Sequence, residues 1–168
     1  MLSQNPPRTK STLRALPHNC GVVCQHTEQP VTFPDGTVVL ASGWLSRAAG
    51  VWRPSFGMYL DPSWMPVDWP HVMLDWPDFG VPASLEQAVA EIRSAFGRAR
   101  RGESVEVACI GGHGRTGTVL ACMAILAGVP VEEAVAWVRG AYCPRAVQEP
   151  AQQYWIEHRA ADALTTCP

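Results

Sequence analysis

The chain has 168 residues, 47% of them hydrophobic, and a formal net charge of −2; this length can bury one proper core without staples. The balance lacks the basic excess of a general nucleic-acid or membrane-surface binder, so any anion must be held locally. The opening stretch "MLSQNPPRTKSTLRALPHNC" lacks the apolar core of a secretory leader, and nowhere do about eighteen apolar residues run together. A cytoplasmic protein with no membrane or nucleic-acid partner is therefore expected. Six cysteines (Cys20, Cys24, Cys109, Cys122, Cys143, Cys167) are scattered through a chain of ordinary hydrophobicity, so reduced thiols are expected rather than a disulfide scaffold.

Residues 1–18 read as a loose arm, polar and broken by Pro6, Pro7 and Pro17, followed by a single domain over 19–168. "GVVCQ", "PVTF" and "TVVLASGWL" are β-like runs, and Pro34-Asp35-Gly36 between the last two supplies the turn of a hairpin. From Pro54 to Pro82 the frequent prolines exclude one long helix, which leaves loops around short strands at "GMYL" and "HVML".

After Pro82 the texture becomes helical. Ser84 can cap, Gln87 can complete a capping box, and Leu85, Val89, Ile92 and Phe96 repeat at helical spacing until Gly102. "VEVACI" then alternates too briefly for anything but a strand. "TGTVLACMAILAG" is apolar nearly all round, as a central buried helix would be. "VPVEEAVAWVRGAY" and "EPAQQYWIEHRAADAL" complete the helices, the former with Glu132 and Glu133 in its first turn and Arg139 in its last, matching the helix dipole. The expected fold is α/β, a central mixed or largely parallel sheet of four to five strands flanked by helices.

"CIGGHGRTG", between a strand and a buried helix, has the chemistry of a phosphate cradle. Backbone N–H groups converge on a dianion only where side chains do not obstruct, which Gly111, Gly112 and Gly114 allow. Arg115 can fork two donors onto phosphate oxygens. A thiol at Cys109, on the floor of such a positive field, ionises more readily and becomes a nucleophile. The plain alternative is a buried structural cysteine before a tight turn, but the compound pattern Cys-x5-Arg-Thr with interleaved glycines favours the cradle.

This segment resembles the signature loop of the cysteine-dependent protein tyrosine phosphatase superfamily in its small dual-specificity-like branch, and makes 19–168 a phosphatase-like catalytic domain. "WPDFGVP", from Trp76 to Pro82, resembles the loop that carries that family's general acid, and it precedes Cys109 as the family order requires. "PRAVQEPAQQYW" resembles the C-terminal segment whose glutamine or glutamate residues line the site, which makes Gln148 and Gln152 candidates. The resemblance implies attack on phosphorus by Cys109 and oxyanion stabilisation by Arg115 and the amides of Ile110, Gly111, Gly112, His113, Gly114 and Arg115. It further implies protonation of the leaving oxygen by Asp78, a cysteinyl-phosphate, and hydrolysis by a water that Gln148 or Gln152 places. Thr116 is expected to hydrogen-bond the sulfur, and Trp76 to anchor the acid loop. No metal or cofactor is needed, and the partner is a phosphorylated protein or a small phosphomonoester.

Several features stand apart from the family pattern. The usual histidine before the nucleophile is Ala108. Asp75 is a rival acid, and His113 can contact substrate and titrate near neutrality or lie solvated on the loop. "HNCGVVCQH" sets His18, Cys20, Cys24 and His26 close together, but the spacing fits no common zinc knuckle, so no metal is assigned. Trp137 fits the buried face of its helix, and the tryptophans in general suit packing. The loop carries no lysine, which disfavours a highly phosphorylated inositol. Two other functions remain open: a phosphate-recognition module with little turnover, motivated by Ala108, and an arsenate reductase using Cys122 or Cys143 as a second thiol.

Overall fold

The computed structural model describes residue 24 and residues 26–46, 53–63 and 67–166. The expected N-terminal arm, most of the "GVVCQ" run, His18, Cys20, Trp52, Trp64 and Cys167 lie outside the described residues.

The hairpin forms where proline and glycine predict it. Strand β1 (Gln29–Thr32) pairs antiparallel with β2 (Val38–Gly43). The Phe33 N–H donates to the Thr37 carbonyl at 2.8 Å, and Gly36 takes φ +84° in the turn. Period-two alternation puts Val31, Phe33, Val39 and Ala41 into the core. The proline-rich segment yields two short strands, β3 (Phe56–Tyr59) and β4 (His71–Met73), and "VEVAC" is β5 (Val105–Cys109). The five strands lie in the order β1-β2-β5-β3-β4, with every pairing but the hairpin parallel.

Every residue of the central strand β5 is buried. Val105, Val107 and Cys109 join the main core, while Ala108 packs with Tyr59 in a second cluster. Glu106 shares the parity of Ala108, and its carboxylate accepts from Ser42 Oγ at 2.7 Å and Tyr59 OH at 2.9 Å, so this buried acid is hydrogen-bonded.

Helix α1 (Leu85–Arg100) starts at Ser84, whose side chain accepts from the Gln87 N–H at 3.2 Å; Gly102 follows its end at φ +84°. Of the expected capping box the Gln87 N–H to Ser84 Oγ arm is made, and the Ser84 hydroxyl itself donates to Glu86 at 3.3 Å. Helix α2 (Gly114–Leu126) is buried from Gly114 to Ile125, which its all-round apolar sequence requires. "VPVEEAVAWVRGAY" divides into a 3-10 turn (Val131–Glu133) and helix α3 (Ala134–Ala141). Trp137 is half-buried and stacks on Phe33 at 5.2 Å between ring centroids. The last helical run is α4 (Pro150–Trp155), a wide π turn (Ile156–Ala160) and α5 (Ala161–Thr165). Among the described residues no helix is long and apolar enough to cross a membrane.

Candidate active site

The parallel strands β2, β5 and β3 all end on one side of the sheet, where open α/β sheets bind ligands. The loop that leaves Cys109 there is tied down at once: the Leu45 N–H donates to the Ile110 carbonyl at 3.1 Å, and the Leu60 N–H to the Ala108 carbonyl at 2.9 Å. Cys109 is buried, and its sulfur accepts the Gly112 N–H at 3.2 Å. Gly112 has φ +73°, and a Cβ there would stand 2.9 Å from His26 Cβ and 3.0 Å from the Gly43 nitrogen. At Gly114 a Cβ would meet Gln148 Oε1 at 2.9 Å, whereas at Gly111 nothing lies nearer than His113 Cδ2 at 3.6 Å. The three glycines are thus unequal, and the tightest contacts fall on Gly112 and Gly114.

Arg115 lies in the first turn of α2 with only 2% of its side chain exposed. Its NH1 donates to the Leu60 carbonyl at 2.8 Å, Asp61 Oδ2 at 2.8 Å and the Trp76 carbonyl at 2.9 Å, which fixes the guanidinium plane. Its NH2 lies 3.1 Å from Asp78 Oδ1. Burial pushes the Asp61 carboxyl up, but hydrogen bonds from Ser63 and the adjacent Arg115 outweigh it and hold it below the usual carboxylate range. Asp61 is a residue that the sequence reading missed. Its local signal is Asp-Pro-Ser: the Ser63 N–H donates to Asp61 Oδ1 at 2.8 Å, a turn that Asp and Ser at this spacing commonly build.

The segment from Trp76 to Pro82 closes over the same place. Trp76 is wholly buried against Trp155, at 5.5 Å between ring centroids, and its Nε1 donates across the loop to the Gly80 carbonyl at 2.9 Å. Gln152 Nε2 donates to that carbonyl as well, at 3.2 Å. Trp76 and Gln152 thus both hold the Gly80 carbonyl. Both acids are exposed, but Asp78 is directed at Arg115, whereas the Asp75 carbonyl accepts from the Ala83 N–H at 3.0 Å. Phe79, at φ +57° and 59% exposed, stands beside Asp78.

A cavity of about 170 Å³ is lined by Asp78, Phe79, Cys109, Arg115, Gln148 and Gln152, together with the loop residues Ile110, Gly111, His113 and Gly114. Of the expected site residues, Thr116 stands apart. Its hydroxyl is buried without a hydrogen-bond partner, so the expected bond to the Cys109 sulfur is absent and the Gly112 N–H occupies that role. Gln152 is fully buried, and its Oε1 accepts from the N–H groups of Gln148 at 3.0 Å and Glu149 at 3.3 Å. Gln148 is exposed on the cavity wall.

His113 is half-buried and titrates well below neutral pH. Burial lowers it to about 4, with His26 and Arg145 adding to the shift, so the imidazole is neutral. Its Nδ1 lies 3.0 Å from His26 Nε2 and 3.4 Å from Cys143 Sγ. Cys122 is fully buried within α2 and its thiol is pushed up by burial alone, which removes it as a second reactive thiol.

The sequence profile of the protein-tyrosine phosphatase family matches residues 66–156. An uncharacterized protein of Methanocaldococcus jannaschii, MJECL20, is 32% identical over 149 residues, covering 83% of this chain and 91% of its own. A second uncharacterized protein of that organism, MJ0215, is 30% identical over 151 residues, covering 83% of this chain and 84% of its own. Among solved structures, Tk-PTP in its active form superposes with a TM-score of 0.56 at 26% identity, over 65% of this chain and 79% of that one. Human DUSP28 superposes with a TM-score of 0.54 over 66% of this chain and 79% of its own; at 14% identity this likeness concerns the fold.

Proposed function

Since the chain belongs to the protein-tyrosine phosphatase family, we propose that it is a phosphomonoester hydrolase working through a cysteinyl-phosphate on Cys109. The observation that carries this reading is the convergence of Cys109, the loop residues Ile110, Gly111, His113 and Gly114, Arg115 and Asp78 on one small cavity.

In the first step the Cys109 thiolate attacks phosphorus, and the leaving oxygen takes a proton from Asp78 as its bond to phosphorus breaks. Loop amides and the guanidinium of Arg115 hold the equatorial oxygens, and because Asp61 and the two carbonyls already fix that guanidinium, little reorganisation accompanies the charge shift. In the second step a water, placed by Gln148, attacks the phosphorus; Asp78 accepts its proton and Cys109 departs as thiolate. The metal-independent chemistry rests on donors supplied by the chain itself.

The carrier of the phosphate is a phosphorylated protein side chain or a small metabolite. Phe79 at the cavity mouth favours an aromatic carrier such as phosphotyrosine, because its ring is exposed beside the proposed acid. Retention of an acid directed at Arg115 favours turnover over mere phosphate recognition, since a pure binder has no use for it. The arsenate reductase reading loses support with Cys122 inert in the core.

The test is hydrolysis of aryl and alkyl phosphates with no metal ion or chelator added, comparing wild type with Cys109→Ser, Arg115→Ala, Asp78→Asn and Asp75→Asn. Turnover should vanish with Cys109→Ser. Asp78→Asn should cost about 100-fold or more on alkyl phosphates and less on aryl phosphates with good leaving groups, which need less protonation. A folded wild type that binds vanadate but turns over neither ester would overturn the proposal.

A further inference from the structure

Four side chains from three distant parts of the chain meet behind the phosphate loop: Cys24 and His26 ahead of β1, His113 at the start of α2, and Cys143 after α3. We propose that they form a tetrahedral zinc site, ligated by Cys24 Sγ, Cys143 Sγ, His26 Nε2 and His113 Nδ1, that clamps the phosphate loop to the N-terminal segment.

The separations fit the ion. With Zn–S near 2.3 Å and Zn–N near 2.0–2.1 Å, a tetrahedron sets S···S, S···N and N···N distances of about 3.8, about 3.6 and about 3.3 Å. Here Cys24 and Cys143 are 3.7 Å apart between sulfurs, His113 and Cys143 are 3.4 Å apart, and the two imidazole nitrogens are 3.0 Å apart. All four ligand atoms lie within 4.8 Å of one another. Two thiolates and two imidazoles suit zinc above harder cations.

The surroundings suit it as well. The Arg145 N–H donates to Cys143 Sγ at 3.3 Å, a bond that steadies a ligating thiolate. Burial lowers His26 and His113, which keeps both imidazoles neutral and able to ligate. Burial also pushes the Cys143 thiol up to about 11, a preference that a bound divalent cation reverses. On binding, two thiol protons leave, and each imidazole keeps the proton of its other ring nitrogen. Two thiolates offset the charge of the ion.

The consequence for the loop is mechanical. His113 precedes the first residue of α2, and the neighbouring Gly112 carbonyl accepts from Tyr142 OH at 2.5 Å, so Tyr142 and Cys143 together grip the loop from one side. The ion would extend that grip to residues 87 and 119 positions apart in sequence, and clips that close long loops restrict the unfolded chain most.

The full chain should be purified without chelator, its zinc measured by mass spectrometry, and the metal exchanged for Co(II). One zinc per chain is expected, together with the intense d–d absorption of tetrahedral Co(II) and a thiolate-to-cobalt charge-transfer band. Cys143→Ser and His113→Ala should lose the ion, while Cys109→Ser and Cys122→Ser keep it. If a ligand variant fails to fold, the wild-type Co(II) spectrum still decides. Zinc that disappears with Cys109→Ser, an octahedral Co(II) spectrum, Cys24 and Cys143 thiols that titrate freely in metal-supplied native protein, or a Cys24–Cys143 disulfide in the non-reduced peptide map would each overturn the site.

Discussion

Asp61 Oδ2 and Arg115 NH1 lie 2.8 Å apart, with side chains only 10% and 2% exposed, so the proposed phosphate-binding arginine carries its own buried counter-charge. Removing one member of such a pair leaves the other uncompensated. Asp61→Asn should therefore lower stability by about 3 kcal/mol, read from urea unfolding at neutral pH. Because the guanidinium also loses a fixed orientation, kcat/KM should fall by about 100-fold. A variant that loses stability alone, with full turnover, would separate Asp61 from the chemistry.

The same pair makes stability depend on acid. The Asp61 carboxyl is held below its ordinary value, as hydrogen bonds from Ser63 and the charge of Arg115 outweigh the opposing effect of burial. A depressed folded value means the native state binds this proton less readily than the unfolded chain does, so the stabilisation is complete above the unfolded value of about 3.9. It is lost as pH falls through the lower folded value. The difference in urea midpoint between wild type and Asp61→Asn should therefore be largest at neutral pH and shrink toward about pH 2, whereas a gap unchanged across that range would assign the loss to packing.

Much of this was legible in the sequence, because the signals were local. Pro34-Asp35-Gly36 announced the hairpin, Ser84 the start of α1, and the glycines after Cys109 the turn into α2. What escaped was what only the sheet brings together. Asp61 and Arg115 are 54 residues apart, and nothing near Asp61 points to a guanidinium. Cys24 and His26 were noticed beside His18 and Cys20, but the fold sets them against His113 and Cys143, which no ligand spacing within one segment can reveal. Thr116 misled for a related reason: it follows the arginine in sequence, yet helix geometry buries its hydroxyl away from any partner.

Glycines 111 and 112 stand side by side and should respond differently. Alanine at Gly112 would hold a non-glycine residue at φ +73° and press its Cβ to 2.9 Å from His26 and 3.0 Å from Gly43. That should cost about 2 kcal/mol or more and weaken vanadate binding. Alanine at Gly111 meets only His113 at 3.6 Å, an ordinary contact. Gly111→Ala should stay within about 0.5 kcal/mol of wild type. Thermal unfolding with and without vanadate measures both effects, and equal losses would show that the backbone freedom of the whole loop matters more than the close approach at Gly112.

Gln148 and Gln152 line the same cavity but are built into it differently, and that difference can be read kinetically. Gln152 is buried and spends its amide on backbone: its oxygen takes the Gln148 and Glu149 N–H groups, and its nitrogen reaches the Gly80 carbonyl of the acid loop. Gln152→Ala leaves those groups unsatisfied, which should cost about 2 kcal/mol and slow the first chemical step by loosening the loop that carries Asp78. Gln148 is exposed, so Gln148→Ala should leave stability within about 0.5 kcal/mol. Its loss should fall on the second step, where water must be placed. Rapid mixing with an aryl phosphate would then give a burst of phenol approaching one equivalent per Cys109, because cysteinyl-phosphate accumulates when its hydrolysis is slowed. A burst from Gln152→Ala and none from Gln148→Ala would exchange the two assignments and make the buried glutamine the one that places water.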